Sequence, residues 1–189
     1  YSTISDITIS AGATTGTASF TPTDDSIYEG NETGIVAIST VSGGSATEDG
    51  TQSVTITITE NESSPTVTLI TSDTSIAENS GSTLTLTATI SQAADEDVTV
   101  NLGVAGTSTN GTDYGSISSI TVSAGATTGT ATFDPTDDSV YEGSETAVIS
   151  ISSVSGADAV ESGSQSVTIT ITDNESAPTV TLAVSATSI

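Results

Sequence analysis

The 189-residue chain contains no Lys, Arg, His, Cys, Met or Trp. Without a single cationic side chain it cannot neutralise phosphate, which excludes nucleic acid as a partner. The same lack removes any attraction to an anionic membrane surface. Without Cys there is no disulfide framework, and without Lys there is no Lys–Asn isopeptide staple. No nucleophile–base pair can be built without His, Lys or Cys. Paired carboxylates can run glycoside hydrolysis, but that chemistry needs a cleft with aromatic sugar platforms. Two Phe and four Tyr are the whole aromatic content, so the chain does not read as an enzyme. No transmembrane run or signal peptide occurs in this segment, and no direct membrane insertion is expected of it.

What is present is acid. Asp and Glu number 24, for a net charge of −24. Unrelieved like charge opposes compaction and invites divalent cations as partners. High net charge can also signal disorder, but here the apolar residues are patterned. Val167-Thr-Ile-Thr-Ile-Thr172 and Leu84-Thr-Leu-Thr-Ala-Thr-Ile90 alternate strictly, which is the period of half-buried strands. No segment sustains a helical period.

The chain repeats itself at an offset of 113 residues. Ala11-Gly-Ala-Thr-Thr-Gly-Thr-Ala-Ser-Phe20 returns as Ala124–Phe133, and Asp24-Asp-Ser-Ile-Tyr-Glu-Gly-Asn-Glu32 returns as Asp137–Glu145. Tyr1–Ile76 aligns without a gap on Tyr114–Ile189, and 53 of the 76 positions are identical. That similarity requires one fold for both copies. The period suits one sandwich domain better than a solenoid coil. Pro65 and Pro178 mark the natural boundaries. The predicted organisation is therefore the C-terminal part of one repeat (1–64), a complete repeat (65–177) and the first strand of another (178–189). On this reading the 189 residues are a window of a longer array.

Seven strands are expected in the complete repeat: A at 66–71 with a kinked continuation to Glu78, B at 83–91, C at 97–104, D at 117–123, E at 129–134, F at 145–154 and G at 165–172. In the partial repeat only D to G are represented. The expected core is Val67, Leu69, Leu84, Leu86, Ile90, Val98, Val100, Leu102, Ile120, Val122, Phe133, Ile149, Ile151, Val167, Ile169 and Ile171. Such a small core is marginal for its length and gains from a metal staple.

Antiparallel strands alternate in direction, so the A–B, C–D and E–F turns and the end of G share one pole. That pole collects Glu78, Asp113, Asp137, Asp138, Glu142, Glu145, Asp173 and Glu175 from four separate segments. Two carboxylates ~4 Å apart repel by about 4 kcal/mol at an effective dielectric of about 20. A solvated acidic cap explains any one of these residues, but not their convergence. Hard oxygen donors without His or Cys select calcium over zinc or copper.

The sequence resembles the Calx-beta repeats, found in sodium–calcium exchangers, integrin beta-4 and large bacterial surface proteins. The resemblance rests on Ala77-Glu78-Asn79, Gly111-Thr-Asp-Tyr114, Asp137–Glu145 and Val167–Asp173. It implies an all-β fold, a seven-stranded immunoglobulin-like Greek-key sandwich repeated in tandem. Carried over position by position, it implies calcium ligands at Glu78, Asp113, Asp137, Asp138, Glu142, Glu145 and Asp173. In the first copy the counterparts are Asp24, Asp25, Glu29, Glu32 and Glu60. Glu60 stands where the other copy has Asp173, which puts the coordination there in doubt.

Other motifs have plainer readings. Asn31-Glu-Thr, Asn61-Glu-Ser, Asn110-Gly-Thr and Asn174-Glu-Ser fit the glycosylation pattern, yet Asn also serves turns and the chain is rich in Ser and Thr. The Thr-x-Thr ladders suit the solvent face of a strand, and a twisted sandwich does not offer the flat array that ice binding needs. The expected function is a calcium-rigidified structural repeat in an extracellular or cell-surface adhesin stalk or fibre. Its partners would be neighbouring repeats and identical chains in a fibre. A calcium-sensing domain pair and a ligand-binding adhesin module are the alternatives.

Overall fold

The computed structural model describes residues 1–185. Two compact units divide at Ser63/Ser64. In the first, β1 (Glu32–Ala37) and β2 (Ser53–Ile58) pair antiparallel, from Glu32 opposite Ile58 to Ala37 opposite Ser53. In the second, nine strands follow: β3 (Thr66–Thr71), β4 (Ser75–Ala77), β5 (Leu84–Ile90), β6 (Val98–Gly106), β7 (Ile120–Val122), β8 (Thr128–Phe133), β9 (Glu145–Ser155), β10 (Val160–Glu161) and β11 (Ser166–Thr172). One 3-10 turn, Glu78–Ser80, is the sole helical element among the described residues. No helix there is long and apolar enough to cross a membrane.

The second unit is a two-sheet sandwich. One sheet has the order β10-β3-β5-β8 and the other β4-β11-β9-β6-β7. Strand A changes sheets at Ser72–Thr74: β3 pairs with β5, while β4 runs parallel to β11. Alternation drives this arrangement, since every second side chain faces the gap between the sheets. Along β5 the pattern puts Leu84, Leu86, Ala88 and Ile90 inside and leaves Thr outside. Leu86, Val67, Val98, Val100, Ile120, Val122, Phe133, Ile149 and Ile169 are wholly buried.

Four details depart from expectation. Strand D contracts to Ile120–Val122: its ladder with β6 ends at Val100–Ile120, just where a register shift at Asn101/Leu102 turns β6 toward β9 alone. Leu102, at that irregularity, and Val167 are half-buried rather than core residues. Tyr114 was not among the expected core, yet it is buried and stacks on Phe133 at 4.8 Å between ring centres. The two-residue β10 also escaped the alternation pattern. It lies parallel to β3, with Val160 opposite Thr66.

Close backbone approach explains two glycines. A Cβ on Gly129 would collide with the Thr121 carbonyl, and one on Gly156 (φ +96°) with the Asp97 carbonyl.

In the first unit the segments expected as D and E form no ladder. The physical reason is partnership. Their counterparts β7 and β8 pair with β6 and β5, and residues 1–63 align with 114–176, so they include no equivalent of either. Local geometry nevertheless persists. Ser2 N–H donates to the Thr21 carbonyl at 2.9 Å, as Gly115 does to Asp134 at 2.9 Å. The rings of Tyr1 and Phe20 lie 5.1 Å apart.

Candidate metal centre

The acidic pole is built by strand ends. β4 leads into Glu78 and β6 into the loop that carries Asp113. β9 opens at Glu145, and β11 runs out into Asp173-Asn174-Glu175. The pairs Ile171–Glu145 and Thr172–Ala77 hold these ends side by side. The loop after β6 is tied by its own bonds. Thr109 N–H donates to Asp113 Oδ2 at 2.5 Å, and Thr136 N–H to the Asp113 carbonyl at 2.9 Å.

Two carboxylate triads result: Glu78, Asp173 and Glu175; and Asp113, Glu142 and Glu145. Within each, one oxygen per residue lies within 4.8 Å of the others. Glu78 is buried, Asp173, Glu175, Asp113 and Glu145 are half-buried, and Glu142 is exposed. Glu175 belonged to the expected pole but not to the ligand set that the resemblance implied. Its signal was the spacing Asp-x-Glu directly after a strand. Asp138 stands outside both triads, with Oδ1 accepting the Val140 N–H at 2.7 Å. Asp137 is exposed and also lies outside them.

Asp173 anchors the arrangement. Its Oδ2 accepts the N–H groups of Glu142 (2.6 Å) and Gly143 (2.5 Å), and Oδ1 accepts that of Glu175 (2.7 Å). Burial opposes its charge, but these donors win and hold the carboxyl below its ordinary range. Its neighbours go the other way. Burial, then hydrogen bonds shared with Glu78 and Asp173, push Glu175 up to about 7. Glu145 is raised by burial and by Asp113, and Glu142 by burial and by the charges of Asp113, Asp138, Glu78 and Asp173. Glu142 thus feels acids of both triads, which makes the pole one electrostatic unit. Carboxylates gathered this closely offer the oxygen donors that a hard cation takes.

The first unit reproduces the anchor but not the triads. Glu60 takes the role of Asp173: Oε2 accepts the N–H groups of Glu29 (2.5 Å) and Gly30 (2.7 Å), and Oε1 that of Glu62 (2.9 Å). The extra methylene is absorbed without loss of a bond. Backbone donors, led by Glu62 and Glu29, lower its pKa to about 2. Asp25 caps Ile27 N–H at 2.8 Å, as Asp138 caps Val140. Asp24 Oδ1 accepts Asn61 Nδ2 at 3.1 Å, and Glu32 begins β1 opposite Ile58. Among the described residues of this unit Asp24, Asp25, Glu29, Glu32 and Glu60 form no triad. The positions equivalent to Glu78 and Asp113 fall outside residues 1–63.

Comparison with known families matches residues 63–174 to the LapA domain and residues 2–62 to the Calx-beta domain. Among solved structures, the chain is similar to an apo-form Calx CBD1 domain, at 18% identity and TM-score 0.48 over 58% of this chain and 98% of that one. It is also similar to CBD12 from CALX1.2, at 19% identity and TM-score 0.47 over 56% of this chain and 44% of that one. No curated protein sequence matches the chain.

Proposed function

We propose that this chain, which belongs to the LapA domain family and matches the Calx-beta domain over residues 2–62, is a calcium-rigidified structural repeat of a long extracellular stalk or surface fibre. Calx-beta domains are calcium-binding β-sandwich modules, regulatory or structural rather than catalytic, and the chemistry of this pole fits the ion. All donors are carboxylate oxygens, the chain has no Lys or Arg to neutralise them, and Glu175 Oε2 is shielded from solvent without a hydrogen-bond donor. Glu78, Asp113, Glu142, Glu145, Asp173 and Glu175 would hold calcium, with Asp137 and Asp138 at the rim. Bound calcium would supply positive charge that offsets their repulsion and joins four strand ends.

The observation that carries the structural reading is the position of Asp173 and Glu175. They sit on the segment that leaves the sandwich toward Pro178, so a cation held there fixes the exit of the chain. Pro178 stiffens it further by restricting its own φ and the residue before it. Repeats bounded at 65–177, with 1–64 and 178–189 as parts of adjacent ones, would then form a rod. The tandem repetition of similar copies, 53 of 76 aligned positions identical, favours a spacer over a sensor, since a sensor needs only one or two domains coupled to an effector.

The test is a thermal melt of the 189-residue chain with calcium and with chelator. Extracellular calcium modules bind at roughly 10⁻⁴–10⁻³ M. At about tenfold excess over that constant a site adds about 1.4 kcal/mol. A raised midpoint for the second unit is expected. An unchanged midpoint rejects a structural role for calcium.

A further inference from the structure

Of the chain's asparagines only Asn110 precedes a glycine. That pairing has a chemistry of its own. The backbone nitrogen after an Asn can attack the side-chain carboxamide, and a following Gly leaves the approach unobstructed. Asn110 lies on the loop after β6 that carries Asp113, and Asn110, Gly111 and Thr112 are all exposed. A Cβ on Gly111 would meet nothing within 4 Å, so the outer side of this loop is open to ring closure and to water. Two other asparagines are held in place. Asn101 Nδ2 donates to Ser153 Oγ at 2.9 Å, and Asn174 Nδ2 to Glu175 Oε1 at 2.9 Å.

One bond opposes the reaction. The nitrogen that would attack, Gly111 N, donates its proton to the Tyr114 carbonyl at 2.8 Å. The acceptor is itself pinned. Tyr114 is buried and stacks on Phe133, and the next residue, Gly115, donates to the Asp134 carbonyl at 2.9 Å. The rest of the loop closes on Thr109, whose carbonyl accepts the N–H groups of Thr112 (3.1 Å) and Asp113 (3.0 Å). While these bonds hold, Gly111 N is engaged with Tyr114 and cannot attack. Opening of the loop releases it, and such local openings cost far less than global unfolding.

We propose that Asn110 is a site of spontaneous deamidation, gated by opening of the Gly111–Tyr114 hydrogen bond. In the open loop Gly111 N gives its proton to water and bonds to Asn110 Cγ. The Cγ–Nδ2 bond breaks, and ammonia leaves with a proton taken from solvent. The five-membered succinimide then takes up one water. Hydrolysis at Cγ leaves an aspartyl residue, and hydrolysis at the main-chain carbonyl leaves an isoaspartyl link. One water is consumed and one ammonia released, with no oxidant or reductant. Either product adds a carboxylate to the loop that carries Asp113. The isoaspartyl form also routes the main chain through Cβ, which lengthens a loop closed by its own hydrogen bonds. No step needs a cation, so this inference stands or falls separately from the calcium reading.

The experiment ages the 189-residue chain at neutral pH without calcium and follows each asparagine by peptide mass mapping, beside a free peptide with the sequence of residues 105–118. The expected result is a gain of about 1 Da at residue 110, ahead of any gain at Asn79, Asn101 or Asn174 and absent in Asn110→Gln. Conversion in the folded chain should be slower than in the peptide by the protection factor that hydrogen exchange gives for the Gly111 amide, within about threefold. Denaturant should restore the peptide's rate. The isoaspartyl form, separated by chromatography, should exchange its Thr112 and Asp113 amides faster than the unaged chain. Conversion of Asn79 or Asn174 before Asn110 would overturn the proposal, as would equal rates in the folded chain and the peptide. So would a denatured chain that stays unconverted while the peptide converts, or a peptide that does not convert at all. Unchanged exchange at Thr112 and Asp113 would overturn the effect on the loop.

Discussion

Replacing Tyr114 by Ala, with the same change at Tyr1 as its control, tests how far burial rather than sequence sets stability here. Tyr114 is 1% exposed and stacks on Phe133, while Tyr1 keeps its ring near Phe20 but is 69% exposed. Truncating a buried aromatic costs about 3–5 kcal/mol, through lost transfer energy and the cavity left behind. The ring pair contributes about 0.5–1.5 kcal/mol within that sum. An exposed ring has little to lose beyond the pair itself, so Tyr1→Ala should cost under about 1 kcal/mol. For a domain of slightly over 100 residues, about 4 kcal/mol lowers the midpoint by roughly 15–20 °C. Residue 114 also borders the acidic pole: its backbone carbonyl, which alanine retains, accepts the Gly111 N–H at 2.8 Å and closes the loop bearing Asp113. Native-state hydrogen exchange separates the two units in one sample. Protection of β5 and β9 should fall sharply in Tyr114→Ala and stay unchanged in Tyr1→Ala. Comparable losses from both changes would refute the reasoning.

Asp138→Asn should weaken calcium binding in calorimetry more than Asp97→Asn. Asp138 acts electrostatically on Glu142, whereas Asp97 caps Ala124 N–H at 2.8 Å, about 30 Å away along the nine residues of β6. Without calcium, the second unit should lose stability as pH rises from about 4.5 to about 7. Glu175 titrates at about 7 when folded against 4.5 when unfolded, so the folded state binds more protons across that window and ionisation opposes folding. With calcium the slope should reverse, since the ion requires the carboxylate; denaturant midpoints against pH with and without chelator check both signs. Glu60 behaves oppositely: its pKa of about 2 adds stability above about 4.5 that disappears as pH falls toward 2, visible as late acid loss of protection at Glu29 and Gly30. Gly156→Ala should destabilise the second unit by about 2 kcal/mol or more, because its φ of +96° and the Asp97 carbonyl both oppose a side chain; a chemical melt within about 0.5 kcal/mol of wild type would contradict this.

Strand positions were legible because Thr alternates with Leu, Ile and Val, and β5, β9 and β11 follow that pattern closely. The acidic pole was legible because topology alone sends Glu78, Asp113 and Asp173 to one end. What was not legible depends on non-local geometry. Tyr114 lies in a polar turn, Gly-Thr-Asp-Tyr-Gly-Ser, and only the approach of Phe133 from β8 makes it core. Ala157 and Ala159 are buried at the tight turn after β9, where Ala157 and Asp158 take left-handed φ, and no periodicity marks them. The partition into two triads depends on which rotamers bring oxygens together, which spacing does not encode.

The first unit makes the same point in reverse. Its residues 1–20 repeat most of 114–133, yet one stretch forms two strands and the other none. Propensity is therefore not what makes β7 and β8; pairing with β6 and β5 is. The same holds for the metal centre. Asp24, Asp25, Glu29 and Glu60 keep their hydrogen bonds within the E–F turn and after β2, but a triad forms only where β4 and β6 also deliver acids. Convergence of the acids is thus coupled to completion of the sandwich. A unit that lacks its A, B and C strands should bind calcium far more weakly than the complete one, although most of its ligand sequence is present.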